Sequence, residues 1–82
     1  MTVRSSDLGD IVLEGVCSTE DAEILLQQLT ASPNALVDLR ACESAHTAVI
    51  QVLMAARPKL LGPPAGSALR DWVYPILELP EA

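Results

Sequence analysis

The sequence predicts an α/β fold in which helices pack on a β-sheet, and three observations carry that expectation. Short β-branched and apolar runs alternate with stretches of helical periodicity. Gly, Pro and helix-start residues punctuate the joins between them. No internal repeat, low-complexity segment or long linker divides the chain, so its 82 residues are read as a single domain over 1–82, with Met1 to Asp7 and Pro80 to Ala82 as frayed ends.

Taken in order, Val3 to Ser5 and Asp10 to Gly15 flank a turn near Leu8, Gly9 and Asp10, which predicts two strands, the first weak and at an edge. Ser18 followed by Asp21, with Glu20 between, is a helix-start signal. Ala22, Leu25, Leu26 and Leu29 then recur at the spacing of one buried stripe. Pro33 disfavours helical geometry at Ser32, so the helix is expected to stop near Ala31. Ala35 to Leu39 is an apolar run short enough for a central strand, and Arg40 to His46 reads as a compact polar loop. From Thr47 to Ala56 only Gln51 interrupts the small and apolar residues after Thr47, which predicts a helix covered on most sides. Pro58 ends it, Lys59 to Leu61 is a short strand, and GPPAG at 62–66 is a loop. Ser67 can cap a last helix through Leu69, Arg70, Trp72 and Val73, with Pro75 marking a kink and Pro80 the tail. Strand and helix alternating in this way imply right-handed parallel crossovers.

Composition narrows the function. Half the residues are apolar, yet there is no Phe, one Trp and one Tyr, so the core is built from aliphatic side chains. A chain of this length buries only roughly 60–65% of its unfolded surface, which argues against a deep substrate cavity. A net charge of −6 repels phosphate backbones and anionic membranes, so nucleic acid is not an expected partner. No apolar run approaches the roughly 20 residues of a membrane span. The N-terminus lacks the apolar core of a signal peptide, and a cytoplasmic location without membrane insertion is expected. One histidine and two distant cysteines form no metal-ligand set, and no cofactor motif is present. Cys17 and Cys42 read as small apolar fillers, since a disulfide between them is disfavoured in a reducing compartment.

Candidate chemistry concentrates at Glu43, Ser44, His46 and Thr47, where the loop opens into the second long helix. A catalytic His46–Thr47 pair lacks a third group to orient the imidazole, and adjacent residues at a helix start point in different directions, so no enzymatic activity is expected. Thr47 carries two readings. Its hydroxyl can cap the helix, in competition with Ser44. Alternatively it is a phosphorylation site, held by the positive end of the helix dipole.

The segment ALVDLRACESAHTAVIQVLMAARPKLLG, together with the earlier GDIVLEG, resembles STAS domains, the family of anti-sigma factor antagonists and of the cytoplasmic domains of sulfate transporters. Val37 to Leu39 matches the family's apolar strand ending in Asp-Leu, and its Asp-Ser-Ser/Ala-Gly motif falls on His46, Thr47, Ala48 and Val49. The resemblance covers most of residues 3 to 77 and implies a mixed β-sheet of about four strands with helices packed against it. It also implies a partner-binding surface at Glu43, Ser44, His46 and Thr47, with Thr47 inheriting the phosphorylated hydroxyl. The partner so implied is a serine/threonine kinase with anti-sigma activity, released on phosphorylation. The alternative is a non-switching accessory subunit of a transporter or chemosensory assembly, docked through Trp72, Tyr74, Ile76 and Leu77.

Overall fold

The computed structural model describes residues 3–79, so the frayed ends expected at Met1, Thr2 and Pro80 to Ala82 lie outside the described residues. Four strands form one mixed sheet in the order β1-β2-β3-β4, with three helices packed against it. Strand β1 (Val3–Ser5) pairs antiparallel with β2 (Ile11–Cys17) at the sheet edge. Helix α1 (Thr19–Ala31), strand β3 (Val37–Ala45), helix α2 (Thr47–Ala56) and strand β4 (Leu60–Leu61) follow, and β2, β3 and β4 run parallel.

Local chemistry accounts for most boundaries. The β1–β2 turn closes on Ser6, whose N–H donates to the Asp10 carbonyl at 2.8 Å and whose hydroxyl accepts the Asp10 N–H at 3.1 Å. Helix α1 opens with the Ser18 N–H donating to the Asp21 carboxylate at 2.7 Å, so an otherwise orphaned donor is satisfied at the positive end of the dipole. Helix α2 stops where Arg57 enters the left-handed region (φ 47°), its N–H still bonded to the Leu53 carbonyl, before Pro58.

Two helix expectations need correction. In α1 the buried stripe is Ala22, Leu25 and Leu29, while Leu26 is half exposed. Its neighbours across the groove include Ala48 and Ala55 of α2, whose short side chains cannot cover it. Helix α2 fully buries only Val49 and Leu53, because among the described residues a single layer of helices lies on the sheet and leaves the side with Gln51 and Met54 exposed.

The larger correction concerns Arg40 to His46. Residues 40–45 are not a loop but the second half of β3. Strand β3 has nine residues against seven in β2, yet both ends pair, Ile11 with Val37 and Cys17 with Ala45. The two extra residues (9 − 7) are absorbed at register shifts between Val12 and Glu14 and between Gly15 and Val16. Inward-facing positions therefore fall at Val37, Leu39, Cys42 and Ala45, a spacing that hides the strand from any period-two test. Gly15, at φ +66°, supplies the backbone conformation that L side chains rarely adopt at the second irregularity.

The face of the sheet turned away from the helices is polar. Arg4, Val12, Asp38 and Leu61 lie in one row across the four strands. Arg4 pairs with Glu14, and the Arg40 guanidinium grips Asp38 through two bonds, Nε to Oδ1 at 3.1 Å and Nη2 to Oδ2 at 3.0 Å. The helix side holds Ile11, Leu13, Val37, Leu39, Leu25 and Val49, and among the described residues no polar or charged residue is fully buried.

The 62–66 loop returns the chain to β3. The Gly66 N–H donates to the Cys42 carbonyl at 3.1 Å, and a Cβ built on Gly66 would sit 1.6 Å from the Glu43 carbonyl oxygen. Helical backbone begins at Ser67 and runs through a π-helical turn, Leu69–Val73, into α3 (Tyr74–Leu77), so the irregularity expected at Pro75 falls immediately before it. Leu69, Val73, Tyr74 and Leu77 pack on the core from this segment, while Trp72 and Ile76 are exposed.

Two outcomes follow for urea denaturation. Gly66→Ala forces a methyl into backbone and is expected to cost about 3 kcal/mol, whereas Gly62→Ala meets only the movable Tyr74 ring and costs about 1 kcal/mol. Equal costs would contradict the close approach at Glu43. The Arg40 hydrogen bond holds the Asp38 carboxyl below the usual carboxylate range. Folding lowers this pKa, so the pair's contribution is present above the unfolded carboxylate value and fades as pH falls through the folded one. Asp38→Asn is expected to lose about 0.5 kcal/mol at neutral pH, Arg40 being largely exposed, with the gap to wild type closing in strong acid.

Candidate functional site

Because Cys17 and Ala45 are register partners, β2 and β3 end side by side, and α1 and α2 start side by side at the carboxyl edge of the parallel sheet. One hydrogen bond ties the two strand exits together: the His46 N–H donates to the Cys17 carbonyl at 2.9 Å. Edges of this kind are where α/β folds place binding functions, since loops and free helix amides converge there.

The structure brings Glu43, Ser44, His46 and Thr47 together within five consecutive residues, all four exposed, with Ala45 turned inward between them. Glu43 and Ser44 belong to β3, and Ser44 lies opposite Val16. Gly66 covers the Glu43 backbone from the other side. The site is thus the last turn of a bulged strand and the first turn of α2, held by the 62–66 loop.

The expected cap by Thr47 or Ser44 is not what forms. Thr47 is already the first helical residue, and Ser44 is committed to the strand, so the residue between strand and helix is His46. Its backbone is extended (φ −61°, ψ 149°), its carbonyl accepts the Val49 N–H at 2.9 Å, and its side-chain Nδ1 accepts the Ala48 N–H at 3.0 Å. That bond requires a neutral imidazole with its proton on Nε2. It also occupies Nδ1, one of the two nitrogens a general base would use. Thr47 is left exposed, and its hydroxyl has no hydrogen-bond partner among the described residues.

Beneath this edge lies a feature the sequence did not disclose. Cys17 and Cys42, each 1% exposed, place their sulfurs 4.0 Å apart across β2 and β3. The Cys42 sulfur also lies 3.5 Å from the Ser44 carbonyl. The contact with Cys42, then burial, pushes the Cys17 thiol up, while the contact with Cys17 lowers that of Cys42. Of the two, Cys42 gives up its proton first. Only the register of the strands reveals the contact, because 25 residues separate the two in sequence.

Among the described residues no group of three His, Cys, Asp or Glu side chains is placed to hold a metal, and no helix is long and apolar enough to cross a membrane. Compared with protein-family models, curated proteins and solved structures, the chain matches none.

The cap assignment has a direct check in unfolding free energies. His46→Ala is expected to cost about 1 kcal/mol and His46→Asn to restore most of it, as Asn can accept the same amide. Thr47→Ala is expected to stay within about 0.5 kcal/mol of wild type. A larger loss at Thr47 than at His46 would reverse the assignment.

Proposed function

We propose that this chain is a STAS-like regulatory module of the cytoplasm that binds a protein partner through Glu43, Ser44, His46 and Thr47, with Thr47 as its phosphoacceptor. One observation carries the reading: the helix start is capped by His46, so the Thr47 hydroxyl stands exposed and uncommitted at the first position of α2. A phosphate there sits against the positive end of the helix dipole. It also adds roughly two negative charges and three acceptor oxygens to a surface that already carries Glu43 on a chain of net charge −6, which repels acidic groups of a partner and is costly to bury in a contact shaped for a neutral hydroxyl. The partner that fits is a serine/threonine kinase with anti-sigma activity, bound to the unmodified form and released by its own phosphorylation of Thr47.

A second reading rests on the C-terminal helix. Trp72 is 77% exposed and Ile76 52%, a pair of large apolar side chains that suits a permanent contact in an accessory subunit. Under it the purified chain runs as a constitutive oligomer and Trp72→Ala returns it to a monomer.

Co-expression with a kinase of the anti-sigma type, followed by intact-mass analysis, separates the two. The switching reading expects a gain of about 80 Da that vanishes in Thr47→Ala, and at least tenfold weaker kinase binding by Thr47→Glu than by wild type. An unchanged mass, or a phosphate on another residue, removes the switch. Wild-type affinity in both Thr47 variants removes the face.

A further inference from the structure

We propose that Cys17 and Cys42 are a redox-active dithiol, closed by hydrogen peroxide to an intramolecular disulfide that alters the carboxyl edge of the sheet. These two are the chain's only cysteines, and the fold brings them from 25 residues apart into sulfur contact at 4.0 Å. Two apolar fillers need not touch. Both face inward because the irregularity between Val12 and Glu14 sets Cys42 opposite Gly15, on the side of the sheet that Gly15 shares with Cys17, and the one between Gly15 and Val16 then sets Ala45 opposite Cys17. A disulfide needs sulfurs about 2.05 Å apart, so closure asks for roughly 2 Å of sulfur movement. It is asked of a segment where the ladder is already irregular and Gly15 loosens the backbone.

The chemistry balances with one peroxide. The Cys42 sulfur attacks a peroxide oxygen, the O–O bond breaks, and Cys42 becomes a sulfenic acid as water leaves. The Cys17 thiol then loses its proton and its sulfur attacks the Cys42 sulfur. The S–O bond breaks and a second water leaves. Two thiols have given up two electrons and two protons, and one peroxide has become two waters. Cys42 takes the first step because its contact with Cys17 lowers its pKa while that of Cys17 is raised. Peroxide, close to water in size, suits thiols that are 1% exposed better than a bulky disulfide reagent does.

The pair is wired to the surface by backbone. The Cys17 carbonyl holds the His46 N–H at 2.9 Å, and the Cys42 carbonyl holds the Gly66 N–H at 3.1 Å. Drawing the two sulfurs together moves both carbonyls, and with them the start of α2 and the 62–66 loop. The readouts involve neither Thr47 nor a partner, so the proposal stands or falls separately from the phosphorylation reading.

The test treats the folded full chain with hydrogen peroxide and follows intact mass, non-reducing peptide mapping and amide exchange. Expected are a loss of about 2 Da, a peptide joining Cys17 to Cys42, and reversal by dithiothreitol. Cys17→Ser and Cys42→Ser are expected to gain oxygen mass or to dimerise instead. Exchange at the His46 and Gly66 amides is expected to change by about tenfold in the oxidised chain. Stepwise gain of oxygen by the wild type, a disulfide-linked dimer, or no reaction short of unfolding in urea would overturn the dithiol. Unchanged exchange at both amides after closure would overturn its control of the edge.

Discussion

The pairing of β2 with β3 is the constraint on which the rest of the structure depends. Seven residues face nine, and both ends are fixed in register, so β3 has to take up two residues along its length. It does so as bulges rather than as a loop because the backbone between them still finds ladder partners, whereas a loop buried against the helices would leave polar groups unpaired. Fixing Cys17 opposite Ala45 then determines where both helices begin. It also puts the His46 N–H within reach of the Cys17 carbonyl, while the pairing of Cys42 with Gly15 leaves the two sulfurs in contact. A β3 of seven residues in simple alternation would give neither the sulfur contact nor the exposed run at Glu43 and Ser44.

Strand β3 also has to be closed on its far side, where β4 offers only Leu60 and Leu61 as partners for Val37 and Asp38. Further along, Gly66 supplies the bond to Cys42 and lies against the Glu43 backbone, a role that no residue with a Cβ can fill. The 62–66 loop is therefore a substitute for more strand, and it hands the chain directly to the C-terminal helix. On the other face, charged side chains do the covering: Arg4, Glu14, Asp38 and Arg40 flank Val12, which is 7% exposed although among the described residues no helix lies over it. Their pairing is weak as a source of stability but keeps water from an apolar strip that helices would otherwise have to shield.

The sequence was readable wherever one local rule decided the outcome. Ser18 with Asp21 placed the start of α1, Pro33 and Pro58 bounded the helices, and the turn before Ile11 separated two strands. It was unreadable where the outcome depended on a partner strand. Nothing in Arg40 to Ala45 alternates with period two, because bulges are a property of a pair of strands and not of either alone. The exposed side of α2 was hidden for a related reason: an apolar helix records how it could be buried, while the number of layers above it is decided elsewhere in the fold. At the junction, the exposure of Glu43, Ser44, His46 and Thr47 accords with their polarity, but the capping role expected of Thr47 or Ser44 goes to another side chain. Hydroxyls lead the statistics of helix caps, and His46 wins here because the end of β3, set by register, leaves it alone at the junction.

That substitution of imidazole for hydroxyl bears on how a switch at Thr47 would work. The amides of the first turn of α2 are few, and Ala48 already donates to His46 Nδ1. A phosphate on Thr47 is a stronger acceptor than a neutral imidazole and seeks the same donors. Modification would then displace the cap as well as add charge, and releasing His46 frees the side chain at the junction between β3 and α2. A hydroxyl cap offers no such competition, since the residue to be phosphorylated would itself be the cap. With His46 at the junction, capping and phosphate binding would be divided between neighbouring residues, so the helix start would stay satisfied in both states of such a switch while the surface presented by His46 and Thr47 changed.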